Sequence, residues 1–223
     1  MSIIENLVRI FAPHICIGCG AEQDALVCDS CRETMPILPS RCYRCGAATE
    51  VYAVCAGCQA HTPLGRAAVA TAYDGLAKQL VHSLKYERAQ YAAQEMGSML
   101  KMYAEHFPED AVFVHIPTAT SRVHARGYDH AALLACAVAR MSGRPRRRLL
   151  ARTGQARQVG SNRMERRQQL KNAFRPIHTS DIRGCHIVLV DDVLTTGTTL
   201  ETAARVLLKA GAARVDALAF AQA

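Results

Sequence analysis

His186 to Leu200 reads HIVLVDDVLTTGTTL. Ile187 to Val190 is an unbroken run of apolar β-formers, the composition of a strand buried on both faces of a parallel sheet. Two carboxylates, Asp191 and Asp192, end the run. Thr195, Thr196, Gly197, Thr198 and Thr199 come next, and a helical pattern then continues to Lys209, where Gly211 can close it. Backbone N–H groups at a helix N-terminus, threonine hydroxyls and a glycine that permits close approach make a cradle for phosphate. Two carboxylates at the end of a strand can accept hydrogen bonds from the two hydroxyls of a sugar ring. The stretch therefore asks for a phosphorylated ribose. An apolar run ending in Asp-Asp is also how a Walker B strand reads, but the partner motif G-x-x-x-x-G-K-[ST] is nowhere in the chain. A plain buried strand, with a helix after it capped by Thr198 or Thr199, is the remaining reading.

The rest of the composition bounds where such a site can sit. With 223 residues, half of them hydrophobic, the chain can build one ordinary domain and a small additional module. The net charge of +8 is uneven. Between Arg144 and Arg175 there are ten Arg and one Lys against the single acid Glu165, so this segment carries +10 and the remainder sums to −2. A concentrated basic stretch implies a polyanion, either the phosphates of a small ligand or a nucleic acid backbone. Against base stacking, aromatic residues are only 5% of the chain and Trp is absent, so binding to a strand through this segment is expected to be salt-sensitive and sequence-blind. Glu5 and Arg9 fall inside what would be the apolar part of a leader, and the longest apolar run, Ala131 to Ala139, is too short to span a bilayer. A cytoplasmic protein with no membrane partner is the expectation.

Eight of the ten cysteines form four Cys-x-x-Cys pairs before residue 60: Cys16/Cys19, Cys28/Cys31, Cys42/Cys45 and Cys55/Cys58. Each pair presents two thiolates to one metal, and two pairs complete a tetrahedral shell. The simplest assignment is two structural Zn²⁺ sites in sequence, although an interleaved pairing satisfies the same spacing. Four protein ligands per site leave no open position for catalysis. Tandem repetition also disfavours thiol-redox chemistry, which places its Cys-x-x-Cys on a thioredoxin-like unit. His61 to Gly65 reads as a linker, giving domains at 1–63 and 64–223.

Along the chain, Ile3, Ile4, Leu7, Val8 and Phe11 have helical spacing and suggest a docked N-terminal helix. Val69, Thr71 and Tyr73 alternate like a strand. Asp74 is placed to cap a helix bearing Leu76, Leu80 and Leu84, and a second helix spans Tyr91 to His106. Val112 to Ile116 is a core strand that Pro117 terminates. Thr118 to Gly127 reads as a loop, then comes a helix from Asp129 to Met141. Cys136 and Cys185 read as core residues. Leu149-Leu150 suggests a brief strand, Arg152 to Gly160 a mobile loop, Asn162 a helix cap, Ala173-Phe174 a return to the core, and Val215 to Phe220 a last strand.

The segment from Ile187 is similar to the phosphoribosyl-pyrophosphate (PRPP) loop of type I phosphoribosyltransferases: four apolar residues, two acids, then Thr-Thr-Gly-x-Thr. The whole chain resembles the ComF (GntX-like) family. The resemblance is carried by the order of the paired cysteines, Leu84-Lys85-Tyr86, Pro117, Arg126-Gly127, Gln158, Glu165-Arg166, Ala173-Phe174, the PRPP loop and Lys209-Ala210-Gly211-Ala212. Where the family more often has an aromatic, Asn and Gln, this chain has Tyr128, Asp129 and His130, so the last two depart from the pattern. The resemblance implies an α/β type I phosphoribosyltransferase fold, a mainly parallel sheet flanked by helices, preceded by a small double zinc ribbon. It implies that Asp191 and Asp192 hold ribose hydroxyls and that Thr195 to Thr199 hold the 5′-phosphate. Arg122 and Arg126, with Lys85, would meet pyrophosphate, with Mg²⁺ accompanying PRPP. It also implies phosphoribosyl transfer to an unspecified acceptor and a role in competence, with single-stranded DNA met through residues 144–175 and competence helicase or recombination proteins as partners. The alternative is a non-catalytic single-stranded-DNA accessory protein that keeps PRPP as a regulatory or vestigial ligand.

Overall fold

The computed structural model describes residues 14–153 and 173–223. The expected N-terminal helix, the loop from Arg152 to Gly160 beyond its first two residues, and the helix capped by Asn162 lie outside the described residues.

Each cysteine quartet builds a minimal unit. In the first, β1 (His14–Ile15) pairs antiparallel with β2 (Glu22–Gln23), and α1 (Asp29–Glu33) starts at Cys28. In the second, Arg41 bridges Ala48, and α2 (Ala56–Gln59) starts at Cys55. Neither unit is large enough to bury a core of its own. Both therefore lean on the larger body formed by the rest of the chain.

At the centre of that body is a parallel sheet of β3 (Ala67–Ala72), β4 (Val112–His115), β7 (His186–Leu194) and β8 (Arg214–Gln222), in the order β3–β8–β7–β4. A separate antiparallel pair joins β5 (Leu150–Arg152) to β6 (Phe174–Pro176). One face of the sheet carries α3 (Gly75–Tyr86), α4 (Ala89–Ala104) and α6 (His130–Ser142), and the other carries α7 (Thr198–Lys209) with the β5–β6 pair. Ile187, Val188, Leu189 and Val190 are fully buried, as a strand covered on both faces requires. On the first face α4 and α6 touch through Gly97: a Cβ there would lie 2.9 Å from the Ala137 Cβ and 3.1 Å from its backbone.

The structure departs from several expectations. β7 does not stop at the acids: it stays paired with β8 through Asp191, Val193 and Leu194. β3 is buried along most of its length instead of alternating, because Ile37 and Ala53 of the cysteine-rich region bridge to Thr71 and Arg66 and close its outer edge. Asp74 occupies the N-cap position of α3 without a side-chain hydrogen bond. Within the expected loop after β4, Thr120–Arg126 forms a short helix, α5, which Gly127 ends in the left-handed conformation. Cys136 is exposed, on the solvent side of α6 with Arg140 one turn away, and Cys185 is only partly buried, its thiol directed at the Asp181 carbonyl. Among the described residues no helix is long and apolar enough to cross a membrane.

Candidate functional site

The two cysteine quartets assemble in sequence. The ligand atoms of Cys16, Cys19, Cys28 and Cys31 all lie within 4.8 Å of one another, as do those of Cys42, Cys45, Cys55 and Cys58. That geometry and an all-sulfur donor set fit tetrahedral Zn²⁺. One thiol in each set is prepared as thiolate. Against the effect of burial, backbone N–H groups draw Cys16 and Cys42 down to about 6. Side-chain hydrogen bonds within each set, with burial, push Cys31 and Cys58 up to about 12. His61 is exposed.

The second cluster lies at the carboxyl end of the sheet. The connection after β4 leads to helices on one face and the connection after β7 leads to α7 on the other. Adjacent strands whose connections diverge in this way open a crevice beyond their carboxyl ends, where open α/β sheets bind ligands. Asp191 is half-buried and Asp192 buried at this edge; Thr195, Thr196 and Thr198 are exposed, Thr199 is intermediate, and Gly197 is buried. Gly197, not Thr198 or Thr199, is the N-cap of α7. The Thr196 hydroxyl lies 2.8 Å from that of Thr198 and accepts from the Thr198 N–H, so the hydroxyls converge on the first turn of the helix.

Around the acids the structure gathers residues distant in sequence. Lys85, in the last turn of α3, places Nζ 2.5 Å from Asp192 Oδ2, and Asp192 Oδ1 accepts from the Val193 N–H. Although burial opposes it, the charge of Lys85, aided by His130, holds the Asp192 carboxyl below the usual carboxylate range. Burial and the neighbouring Asp192 charge push Asp191 the other way, well above that range. His130 is buried, with Nε2 3.8 Å from Asp192 Oδ2 and Nδ1 3.0 Å from an Arg126 nitrogen. A guanidinium only donates, so Nδ1 accepts and Nε2 carries the proton toward Asp192. Desolvation keeps His130 below its ordinary value, in the neutral form this arrangement needs.

Arg126 also stacks over the Tyr86 ring, 4.7 Å from its centroid, and donates to the Tyr86 hydroxyl. Lys85, Arg126, Asp192 and His130 thus form one network. Arg122 stands apart on the exposed side of α5. Within the basic segment, Arg146, Arg147 and Arg148 are exposed beyond the β4 edge, Arg147 lying 3.6 Å from Asp181, and Arg152 donates to the Pro117 carbonyl at the end of β4. Residues 154–172, which hold most of the remaining segment, are outside the described residues.

Two contacts escape a sequence reading. The knuckle Cys42-Tyr43-Arg44-Cys45 reaches the first turn of α7: the Tyr43 hydroxyl donates to Glu201 Oε1 at 2.8 Å, and Arg44 Nη1 lies 2.6 Å from the same oxygen. The first quartet makes a parallel contact on the other face, where Arg32 grips Glu95 of α4 at 2.7 Å. Both glutamates are buried. An Arg beside a Cys ligand and a Glu on a helix are ordinary residues, so neither signals the other. His130 carries a weak signal as a departure from the family pattern.

Two family profiles match the chain. The family profile described as a double zinc ribbon domain matches residues 7–63, and that described as a phosphoribosyl transferase domain matches residues 135–223. The chain is 28% identical over 200 residues to the competence protein ComFC of Bacillus subtilis (strain 168), covering 85% of this chain and 81% of that one. It is 29% identical over 200 residues to the DNA utilization protein YhgH of Escherichia coli (strain K12), covering 85% and 87%. Among solved structures, the glutamine PRPP amidotransferase from B. subtilis complexed with ADP and GMP is 20% identical, with a TM-score of 0.42 over 58% of this chain and 26% of that one.

Proposed function

We propose that this chain, which belongs to the ComF family, binds PRPP at the carboxyl end of β7 and transfers its phosphoribosyl group to an acceptor. The observation that carries the reading is the junction of β7 and α7, where a carboxylate pair in the last residues of the strand, at Asp191 and Asp192, is followed after Leu194 by a threonine-rich turn that opens the helix. Asp191 and Asp192 would accept hydrogen bonds from the ribose hydroxyls. Thr195, Thr196, Thr198 and Thr199, with the N–H groups of the first turn of α7, would hold the 5′-phosphate.

Lys85 keeps Asp192 oriented and charged, so that the acceptor geometry is set before the sugar arrives. Arg126, which contacts His130 beside Asp192, and Arg122, on the outer side of α5, would meet the pyrophosphate. Asp191 and Asp192 are carboxylates that would share a Mg²⁺ ion with the pyrophosphate oxygens, and the ion would supply charge neutralisation on the departing group. As the bond from C1 to pyrophosphate breaks, the positive charge that develops on the ribose faces these acids, and the acceptor attacks C1.

A second reading has its own support. ComFC and YhgH are named for competence and DNA utilization, and Arg146 to Arg148 present an exposed basic run. A DNA-handling protein that senses PRPP without consuming it fits those facts, with single-stranded DNA as the partner along residues 144–175 and helicase or recombination proteins acting beside it.

Pyrophosphate release from PRPP and Mg²⁺ separates the two readings. Release that requires one acceptor, among nucleobases and single-stranded oligonucleotides supplied separately, is expected for the transferase. PRPP binding with no release under any acceptor would contradict transfer and leave the sensor.

A further inference from the structure

The glycine of the threonine-rich loop does not face open space on its Cβ side. Gly197 has φ +75°, and a Cβ built on it would lie 2.5 Å from a ring carbon of Tyr43. The Tyr43 hydroxyl donates to Glu201, and the Thr62 hydroxyl lies 2.5 Å from it. Glu201 donates its own N–H to the Gly197 carbonyl in the first turn of α7. Arg44 ties the same carboxylate to the His61 carbonyl of the linker. Tyr43 and Arg44 are the two residues enclosed by Cys42 and Cys45, ligands of the second quartet. Their backbone lies in the knuckle turn, in which the Cys42 N–H donates to the Ala47 carbonyl and the Gly46 N–H to the Cys42 carbonyl. The first quartet is different: its arginine reaches Glu95 on α4, across the sheet.

We propose that Tyr43 and Arg44 are positioning residues of the phosphate cradle, and that metal in the second cysteine site and a phosphoribosyl ligand on the loop therefore favour each other's binding. The inference rests on the PRPP reading of the loop. Zinc in the second quartet fixes the knuckle. The knuckle fixes the ring against Gly197 and the two donors on Glu201, and Glu201 fixes the turn whose N–H groups would face the phosphate. Because coupling between two sites is reciprocal, the ligand must retain the metal as strongly as the metal retains the ligand.

The test uses the full-length zinc-loaded protein. PRPP with Mg²⁺ is titrated calorimetrically, and zinc release to a colorimetric chelator is monitored with and without PRPP. In the wild type, PRPP is expected to raise the affinity for one of the two zinc equivalents by about fivefold or more, read from the extent of zinc transfer to the chelator at equilibrium, and to leave the other unchanged. Tyr43→Ala and Glu201→Gln should bind PRPP about tenfold more weakly and lose the protection, with zinc content unchanged. Tyr43→Phe, which keeps the ring against Gly197 and loses only the hydroxyl, should fall between the wild type and Tyr43→Ala and guards against misfolding of the alanine variant. Uniform release of both zincs with and without PRPP, or variants that bind PRPP as the wild type does, would overturn the inference while leaving the PRPP site standing. A wild type that binds no PRPP would overturn the reading of the loop and this inference with it.

Discussion

Asp192 can stay ionised in a buried position because Lys85 Nζ lies 2.5 Å from it. Removing the partner leaves an uncompensated buried charge, so Lys85→Met should lower stability by about 1–3 kcal/mol in chemical denaturation, less than for a fully dry pair because Lys85 is partly exposed. Asp192→Asn in the same background should recover most of the loss. If the double variant is no more stable than the single, the two charges are not coupled. His130 gives a pH signature. It is faced by Asp192, Lys85, Arg126, Asp129 and Thr118, and its folded value lies below the ordinary 6.5. The unfolded chain therefore binds this proton first as pH falls, and stability drops as pH is lowered from about 6.5 toward the folded value. Wild type should lose more stability than His130→Gln between pH 7 and pH 5 in urea titrations. Parallel profiles would show that His130 does not bear this load. Of these residues the acid pair was legible, because four apolar residues and two acids are contiguous. The link from α3 through Lys85 was not, since nothing local in a helix end reports which strand end it meets.

At the scale of elements, the strands and cysteine knuckles were readable because their signals are short-range: an apolar run, a Cys-x-x-Cys turn, a proline stop. Elements whose state depends on a neighbour read wrongly. The β3 sequence looks half-exposed until the cysteine-rich region closes its edge, and Cys136 looks like core because the apolar residues around it cover most of α6. The contact of Tyr43 with Glu201 spans 158 positions and has no sequence signature. Two glycines test the packing directly. Gly97→Ala should force α4 from α6 at a cost of about 1–3 kcal/mol, read as a lowered melting temperature; an unchanged value would mean the helices separate freely. Gly197→Ala meets both a left-handed backbone, worth about 1–2 kcal/mol of strain, and the Tyr43 ring. It should weaken PRPP binding while leaving both metal sites loaded. Unaltered PRPP affinity would show that the turn is not the phosphate cradle.

As a whole molecule, the chain is a sheet gripped on both faces by the two halves of a cysteine-rich clamp, Arg32 on Glu95 and Arg44 on Glu201, with the clamp also covering the free edge of β3. Metal analysis should find about two zinc per chain. Chelation should expose that edge and drive self-association, visible as increased light scattering; a chelated protein that stays monodisperse would show that the metals do not hold the cover in place. The crowding of cysteines before residue 60 marked the two quartets that the fold assembles. Their grip on the sheet came only with the fold. The claim on which the rest depends is that the acids of β7 receive the ribose of PRPP. Calorimetric titration of PRPP with Mg²⁺ into the wild type and into Asp191→Asn/Asp192→Asn, with circular dichroism to confirm that both are folded, measures it most directly. Binding by the wild type that vanishes in the folded double variant is the predicted result, and a double variant that binds PRPP as tightly as the wild type would contradict the account.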